Sequence, residues 1–416
     1  MSHGGDIYRN KVKTDLSVSV NPLGCPESVM TAMQEALSSA EKYPDIRHER
    51  LIDALAELTG VSGDRILLGN GASELIMTIL RYFSGRRVFL PVPSFIGYRY
   101  ALEAAGCRVE EYLLRPDDNL GTGYAEENLE KCAECFSEYI RENASAGDVI
   151  LLTNPNNPTG KLVPEDELQN ILSVAAEKNA YIITDECFMT LTGRGNECSA
   201  LKYISENGLD GSNCTINEVR IGSEYYDKLL IIDAFTKTFA IPGVRLGMAY
   251  FGDAELAEKI RRLLPEWNIS CVAEAAGLEA VSILKEFGDV IKELENNGKM
   301  DPYNNMKKAP DNIRENYIAK SIEYINRERN RIISMITEPS QKDDLNSKHH
   351  VEVFPSDANF ILIKTDKDIY EYMLSRGILI RDCSDFVGLG KGYYRISISS
   401  EENDSVFIRE FRGLNE

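Results

Sequence analysis

The sequence is short of positive charge. Its 46 lysines and arginines face 66 aspartates and glutamates, a formal net charge of −20. Phosphate backbones are gripped by clustered lysine and arginine, so this balance argues against nucleic acid as a main partner. Acidic surface charge of this kind serves solubility more readily than recognition. No apolar run approaches the length of a membrane span, so no membrane partner is expected. The opening Met1-Ser2-His3-Gly4-Gly5-Asp6 has neither the basic nor the apolar stretch of a secretory signal, and a cytoplasmic setting is the expectation. Cysteine supplies no framework either. The nine cysteines are odd in number and scattered, and one Cys-x-x-Cys pair, Cys132 and Cys135, lies in a helix-like stretch. With no second pair and no neighbouring histidine it does not compose a zinc site, and no metal is expected.

What is present is enough chain, 416 residues, to bury a large core and form two domains. Short apolar runs alternate with helix-like segments from Arg65 to Phe251, with strand-like runs at 87–91, 108–113, 148–153, 181–184, 228–233 and 246–251. That rhythm predicts an α/β fold, a mostly parallel sheet covered on both faces. Residues 192–227 read as a long polar surface excursion and 295–313 as a loop. A long helix from Tyr317 then leads into a smaller α+β pattern. The division expected is an N-terminal arm and part of the small domain over 1–44, a large domain over 45–290 and a small C-terminal domain over 291–416.

Ligands in open α/β sheets bind beyond the carboxyl ends of the strands, and each polar cluster falls at such an end. Gly69-Asn70-Gly71-Ala72-Ser73 joins a strand to a helix, where backbone amides can meet a phosphate. The prolines and glycine of Asn154-Pro155-Asn156-Asn157-Pro158-Thr159-Gly160 stiffen a loop that can aim an asparagine. Asp185 closes an apolar strand, a costly place for a carboxylate without a cation. Lys237 follows another apolar run, and lysine is rarely buried without a partner. Arg245 offers a fork for a phosphate and Arg395 one for a carboxylate. A lysine imine with an aspartate on a pyridinium nitrogen is the signature of pyridoxal phosphate.

In this order the motifs resemble those of the fold-type I pyridoxal-phosphate enzymes, in the class I/II aminotransferase group, over nearly the whole chain. The resemblance implies a seven-stranded, mostly parallel large-domain sheet between helices, a small α+β domain and pyridoxal 5′-phosphate as cofactor. It further implies that Lys237 is the Schiff-base lysine, that Asp185 pairs with the ring nitrogen and that Asn157 bonds the ring oxygen. Phe95 would stack on the ring, and Ala72, Ser73, Thr236 and Arg245 would hold the cofactor phosphate. Tyr43 would reach the cofactor phosphate of a second subunit, implying a homodimer. Arg395 would bind the substrate carboxylate.

Two branches of the group fit, threonine-phosphate decarboxylase of the cobalamin pathway and histidinol-phosphate aminotransferase. The early His3-Gly4-Gly5, the turn Asn21-Pro22-Leu23-Gly24, Phe188 in place of a tyrosine, and Ile380-Arg381-Asp382-Cys383 resemble the decarboxylase. A small phosphorylated amino acid is then the expected substrate, L-threonine O-3-phosphate or L-serine phosphate, with His3, Tyr43 and Arg381 clamping its phosphate and Asn21 beside it. Ala234, where a hydroxyl residue is usual, and Ser19, where an asparagine is common, depart from the family pattern.

Overall fold

The computed structural model describes residues 4–114, 136–205, 215–216, 219–220, 227–296, 315–338 and 351–414. The larger sheet has seven strands: β1 (Ile66–Asn70), β2 (Arg87–Val92), β3 (Arg108–Leu113), β4 (Val149–Thr153), β5 (Tyr181–Asp185), β6 (Leu229–Ala234) and β7 (Leu246–Phe251). Their spatial order is β1-β7-β6-β5-β4-β2-β3. The apolar runs form strands because both faces are buried. Successive residues go to opposite sides, so Ile182 and Ile231 enter one core while Ile183 and Ile232 enter the other.

One strand departs from the parallel rule. β7 is antiparallel to both neighbours, with Leu246 opposite Asn70 of β1 and Gly247 opposite Ala234 of β6. Its first residues therefore lie at the edge where the other six strands end, and Arg245, just before it, arrives at that edge. Gly247 permits the crossing, since a Cβ there would stand 2.5 Å from the Ala72 amide nitrogen.

The second sheet is antiparallel, in the order β8 (Val351–Phe354), β9 (Phe360–Thr365), β11 (Tyr393–Ser397), β10 (Arg381–Asp382). Helices at Tyr317–Thr337 and Glu401–Gly413 cover one face through Ile332, Ile336, Phe407 and Phe411. The first starts where the Asn316 side chain accepts from the Ile318 and Ala319 amides, satisfying donors a helix end leaves open. The N-terminal segment joins this unit. Thr14 and Asp15 pair in parallel with Ile378 and Leu379, and Leu16 enters the same core.

Residues 192–205 do not form the polar excursion expected. Cys198, Ala200, Tyr203 and Ile204 are buried, and Ser199 donates to the buried Glu186 at 2.5 Å. The turn residues that made this stretch look exposed bend it back onto the sheet. The rest of that stretch, apart from residues 215–216, 219–220 and 227, lies outside the described residues, as do Cys132, Cys135 and residues 297–314. The helix at Cys271–Asn296 continues past residue 290 without a break. Among the described residues no helix is long and apolar enough to cross a membrane.

Candidate active site

A cleft of 380 Å³ opens where the strand ends meet the second sheet. Among the described residues, Lys237, Arg245, Arg381 and Arg395 line it with one acidic side chain, Asp185. A strongly acidic chain thus concentrates positive charge at one place, a focus for anionic ligands.

Lys237 sits in a one-turn helix, Phe235–Thr238, directly after β6. Its Nζ lies 5.6 Å from the centroid of the Phe188 ring. Burial, then the Arg395 guanidinium, push its pKa down to about 8. A substantial neutral fraction near pH 8 makes this amine a nucleophile and a proton carrier.

Asp185 ends β5, and its carboxylate is fully committed in orientation. Oδ2 accepts from the Tyr98 hydroxyl at 2.6 Å and Oδ1 from the Cys187 amide at 3.1 Å. The Thr153 hydroxyl in turn donates to the Tyr98 oxygen at 3.2 Å. Tyr98 is one helical turn beyond Phe95, which also lines the cleft. The role of Tyr98 escapes a reading of the sequence, although its three-residue offset from Phe95 places both on one face.

Gly71, at φ 75°, precedes the helix Ala72–Tyr82, and no side chain caps that helix end. A Cβ at Gly71 would collide with the Arg245 guanidinium, so glycine lets the arginine reach the helix terminus. Arg245 itself holds a left-handed backbone, φ 62°, a conformation costing about 1 kcal/mol or more outside glycine. Its Nη2 lies 3.4 Å from Ser73 Oγ. Open amides at Ala72 and Ser73, a hydroxyl and a guanidinium form a donor set suited to a phosphate. Thr236 is buried beside it on the cleft wall. Ala234 is also buried but does not line the cleft.

Asn157 and Arg395 meet across the two sheets: Arg395 Nη1 donates to Asn157 Oδ1 at 2.5 Å, and Nη2 to the Ser17 carbonyl at 2.8 Å. Its Nε, buried, has no partner among the described residues. Such a donor is left for an ordered water or a ligand group to complete.

Other residues named from the sequence are placed elsewhere. Asn21 is a correction, because it does not line the cleft. Its carboxamide donates to the Thr238 carbonyl at 2.8 Å and to Ser321 Oγ at 2.7 Å, and its amide to the Lys237 carbonyl at 2.9 Å. It braces the turn that carries Lys237, and has no donor left for a substrate. Tyr43 is 81% exposed, packs against Trp267 at 4.9 Å between ring centroids, and does not reach the cleft of its own chain. His3 lies outside the described residues. Among the described residues no group of three or more metal-ligating side chains occurs.

A lysine beyond the sheet, a braced carboxylate and a phosphate cradle define an α/β enzyme built to anchor a phosphorylated carbonyl cofactor. Comparison with known proteins agrees: the profile of aminotransferase class I and II matches residues 11–300, and the chain belongs to that pyridoxal-phosphate-dependent family. A Caldanaerobacter subterraneus subsp. tengcongensis protein, provisionally named threonine-phosphate decarboxylase, is 28% identical over 100% of this chain and 94% of its own. The histidinol-phosphate aminotransferase of Clostridium acetobutylicum superposes with a TM-score of 0.71 at 26% identity, covering 96% of this chain and 98% of that one. The fold also matches a Sinorhizobium meliloti histidinol-phosphate aminotransferase solved with pyridoxal 5′-phosphate, with a TM-score of 0.66 at 18% identity over 97% of this chain and 92% of that one.

Proposed function

We propose that the cleft holds pyridoxal 5′-phosphate and decarboxylates L-threonine O-3-phosphate, with L-serine phosphate as a close variant. The residues fit the cofactor. Lys237 would carry its carbonyl carbon, Asp185 would face the ring nitrogen and Asn157 the ring oxygen, and Phe95 would cover the ring. Arg245, Ser73, Thr236 and the Ala72 amide would take its phosphate. Bound there, the group supplies an electron sink for a bond at the substrate α-carbon.

The protein decides which bond is presented. The Arg395 guanidinium, on the cleft wall, would seat the α-carboxylate, and Asn157 with Ser17 fixes its plane. Loss of carbon dioxide leaves the α-carbon short of a proton, which the Lys237 amine is placed to return. The product is (R)-1-aminopropan-2-ol O-phosphate. Phe188 offers Lys237 a ring face and no hydroxyl, so that wall supplies no hydrogen bond from residue 188.

The observation that carries this reading is the pair Arg381 and Arg395. They stand directly opposite each other on β10 and β11, both buried and both lining one cleft. Two guanidiniums suit a substrate with a carboxylate at one end and a phosphate at the other. The full-length likeness to the Caldanaerobacter protein supports the same branch. Transamination of histidinol phosphate is the second reading, supported by the likeness to the Clostridium enzyme. Purified protein mixed with threonine phosphate and no keto acid should release carbon dioxide. No release, with amino transfer from histidinol phosphate to 2-oxoglutarate, would sink the decarboxylase reading.

Two copies are proposed to act together. Tyr43, exposed with Trp267 at 42% and unable to serve its own cleft, would contribute to that of a partner.

A further inference from the structure

Arg381 is not a free cation. Its Nη2 donates to both oxygens of Asp385, at 2.8 and 3.1 Å, and its Nη1 to the Asp382 carbonyl at 2.5 Å. The guanidinium lies over the Phe386 ring, 5.1 Å from its centroid. Arg395, opposite it, has a carboxamide and a carbonyl as partners and, among the described residues, no carboxylate. Like charges directly across an antiparallel pair repel, and Asp385 offsets that repulsion on the Arg381 side. Of this facing pair, Arg381 is already paired with a carboxylate and Arg395 is not hydrogen-bonded to one. Arg381, Gly4 and Ser17 are also shared with an adjoining chamber of 560 Å³, so the compensated arginine marks the far end of the cleft.

We propose that Asp385 is a specificity-determining residue, whose carboxylate sets how much positive charge Arg381 presents to the far phosphate of the substrate. The proposal rests on the phosphorylated-substrate reading above. A phosphate dianion reaching Arg381 must share it with Asp385, and the carboxylate repels the dianion more strongly than it repels an uncharged hydroxyl. Asp385 thus restrains affinity for phosphorylated ligands and leaves their unphosphorylated counterparts almost untouched. Its side chain is 36% exposed, so solvent screens part of this effect.

Calorimetric titration of the cofactor-loaded protein tests this with two ligands that lack the α-carboxylate: 1-aminopropan-2-ol O-phosphate and 1-aminopropan-2-ol. In Asp385→Asn the dissociation constant of the phosphate ester should fall by roughly tenfold. That of the free alcohol should not move, which also reports an intact fold, and Asp385→Glu should restore the wild-type ratio. Weaker binding of the ester by Asp385→Asn would mean that the carboxylate merely holds Arg381 in place, and would overturn the proposal. So would an unchanged ratio. Wild-type protein that prefers neither this ester nor histidinol phosphate to its free alcohol would overturn the phosphorylated-substrate reading itself.

Discussion

The two walls of the cleft are built differently. The wall proposed for the cofactor comes from ends of one rigid sheet: Asp185 closes β5, Lys237 follows β6, and Arg245 opens the reversed β7. Each of its groups is set by a strand end of that sheet and braced from elsewhere, Asp185 by Tyr98, Arg245 beside Ser73 and the Lys237 turn by Asn21. The wall proposed for the substrate comes from the second sheet and the N-terminal segment, tied together by contacts spanning most of the chain. Arg395 to Ser17 bridges 378 residues and Arg395 to Asn157 bridges 238. The proposed cofactor chemistry needs a rigid frame, which strand ends of one sheet supply. The division proposed is that the second wall sets the choice of substrate and can change with little effect on the first.

If this division holds, the largest effect belongs to Lys237. Lys237→Ala should abolish turnover, a loss of more than about a thousandfold, and remove the visible absorbance of a covalently held cofactor. In the wild-type protein the rate of cofactor uptake should rise as pH passes through about 8, because the neutral amine reacts. A midpoint near the ordinary lysine value would show that the burial and the arginines around it do not act as argued. Next comes Arg395. Arg395→Lys keeps the charge but loses the fork that meets Asn157 and the Ser17 carbonyl, and it should raise KM by about a hundredfold. Absorbance of the loaded protein should stay close to wild type. A variant that instead lost its cofactor would show that the two walls are not separable.

Legibility in the sequence follows the same division. Asp185 stands out because it ends an apolar run that must be a buried strand, and Asn157 and Lys237 because each follows such a run within a few residues. Arg245 was recognisable as a residue but its route was not, since an apolar run such as 246–251 has no visible direction. The second wall hides for a different reason. Arg381 faces Arg395 only through the register of β10 on β11, and the partnership of Arg381 with Asp385 needs a loop geometry that no periodicity encodes. Asn21 misled because a turn asparagine can serve a ligand or the backbone, and the choice depends on Thr238 and Ser321, more than 200 residues away.

Tyr98 probes the frame of the first wall more gently. Tyr98→Phe removes one hydrogen bond to a buried carboxylate, about 2 kcal/mol, and should weaken cofactor binding by roughly thirtyfold. The matching change on the wall's outer side, Thr153→Val, touches Asp185 only through Tyr98 and should cost less. Equal losses in the two variants would point to packing as the cause.

The smallest effect tests the frame from behind. Glu186 follows Asp185 but turns away from the cleft, accepting from Ser199 and from the Ala200 amide at 2.8 Å. Burial outweighs these bonds and raises its pKa to about 7. Its folded pKa therefore lies above its unfolded one. The folded state binds the extra proton, so the stability this group contributes is complete below about pH 4.5 and is lost as pH rises through 7. Melting temperature should fall between pH 5.5 and 8, and Glu186→Gln, which cannot ionise, should flatten that slope. Its cofactor absorbance should match wild type at both values, because the carboxylate points into the opposite core. A slope unchanged by the substitution would place the titrating group elsewhere, with Asp233, also raised to about 7 by burial, the next to replace.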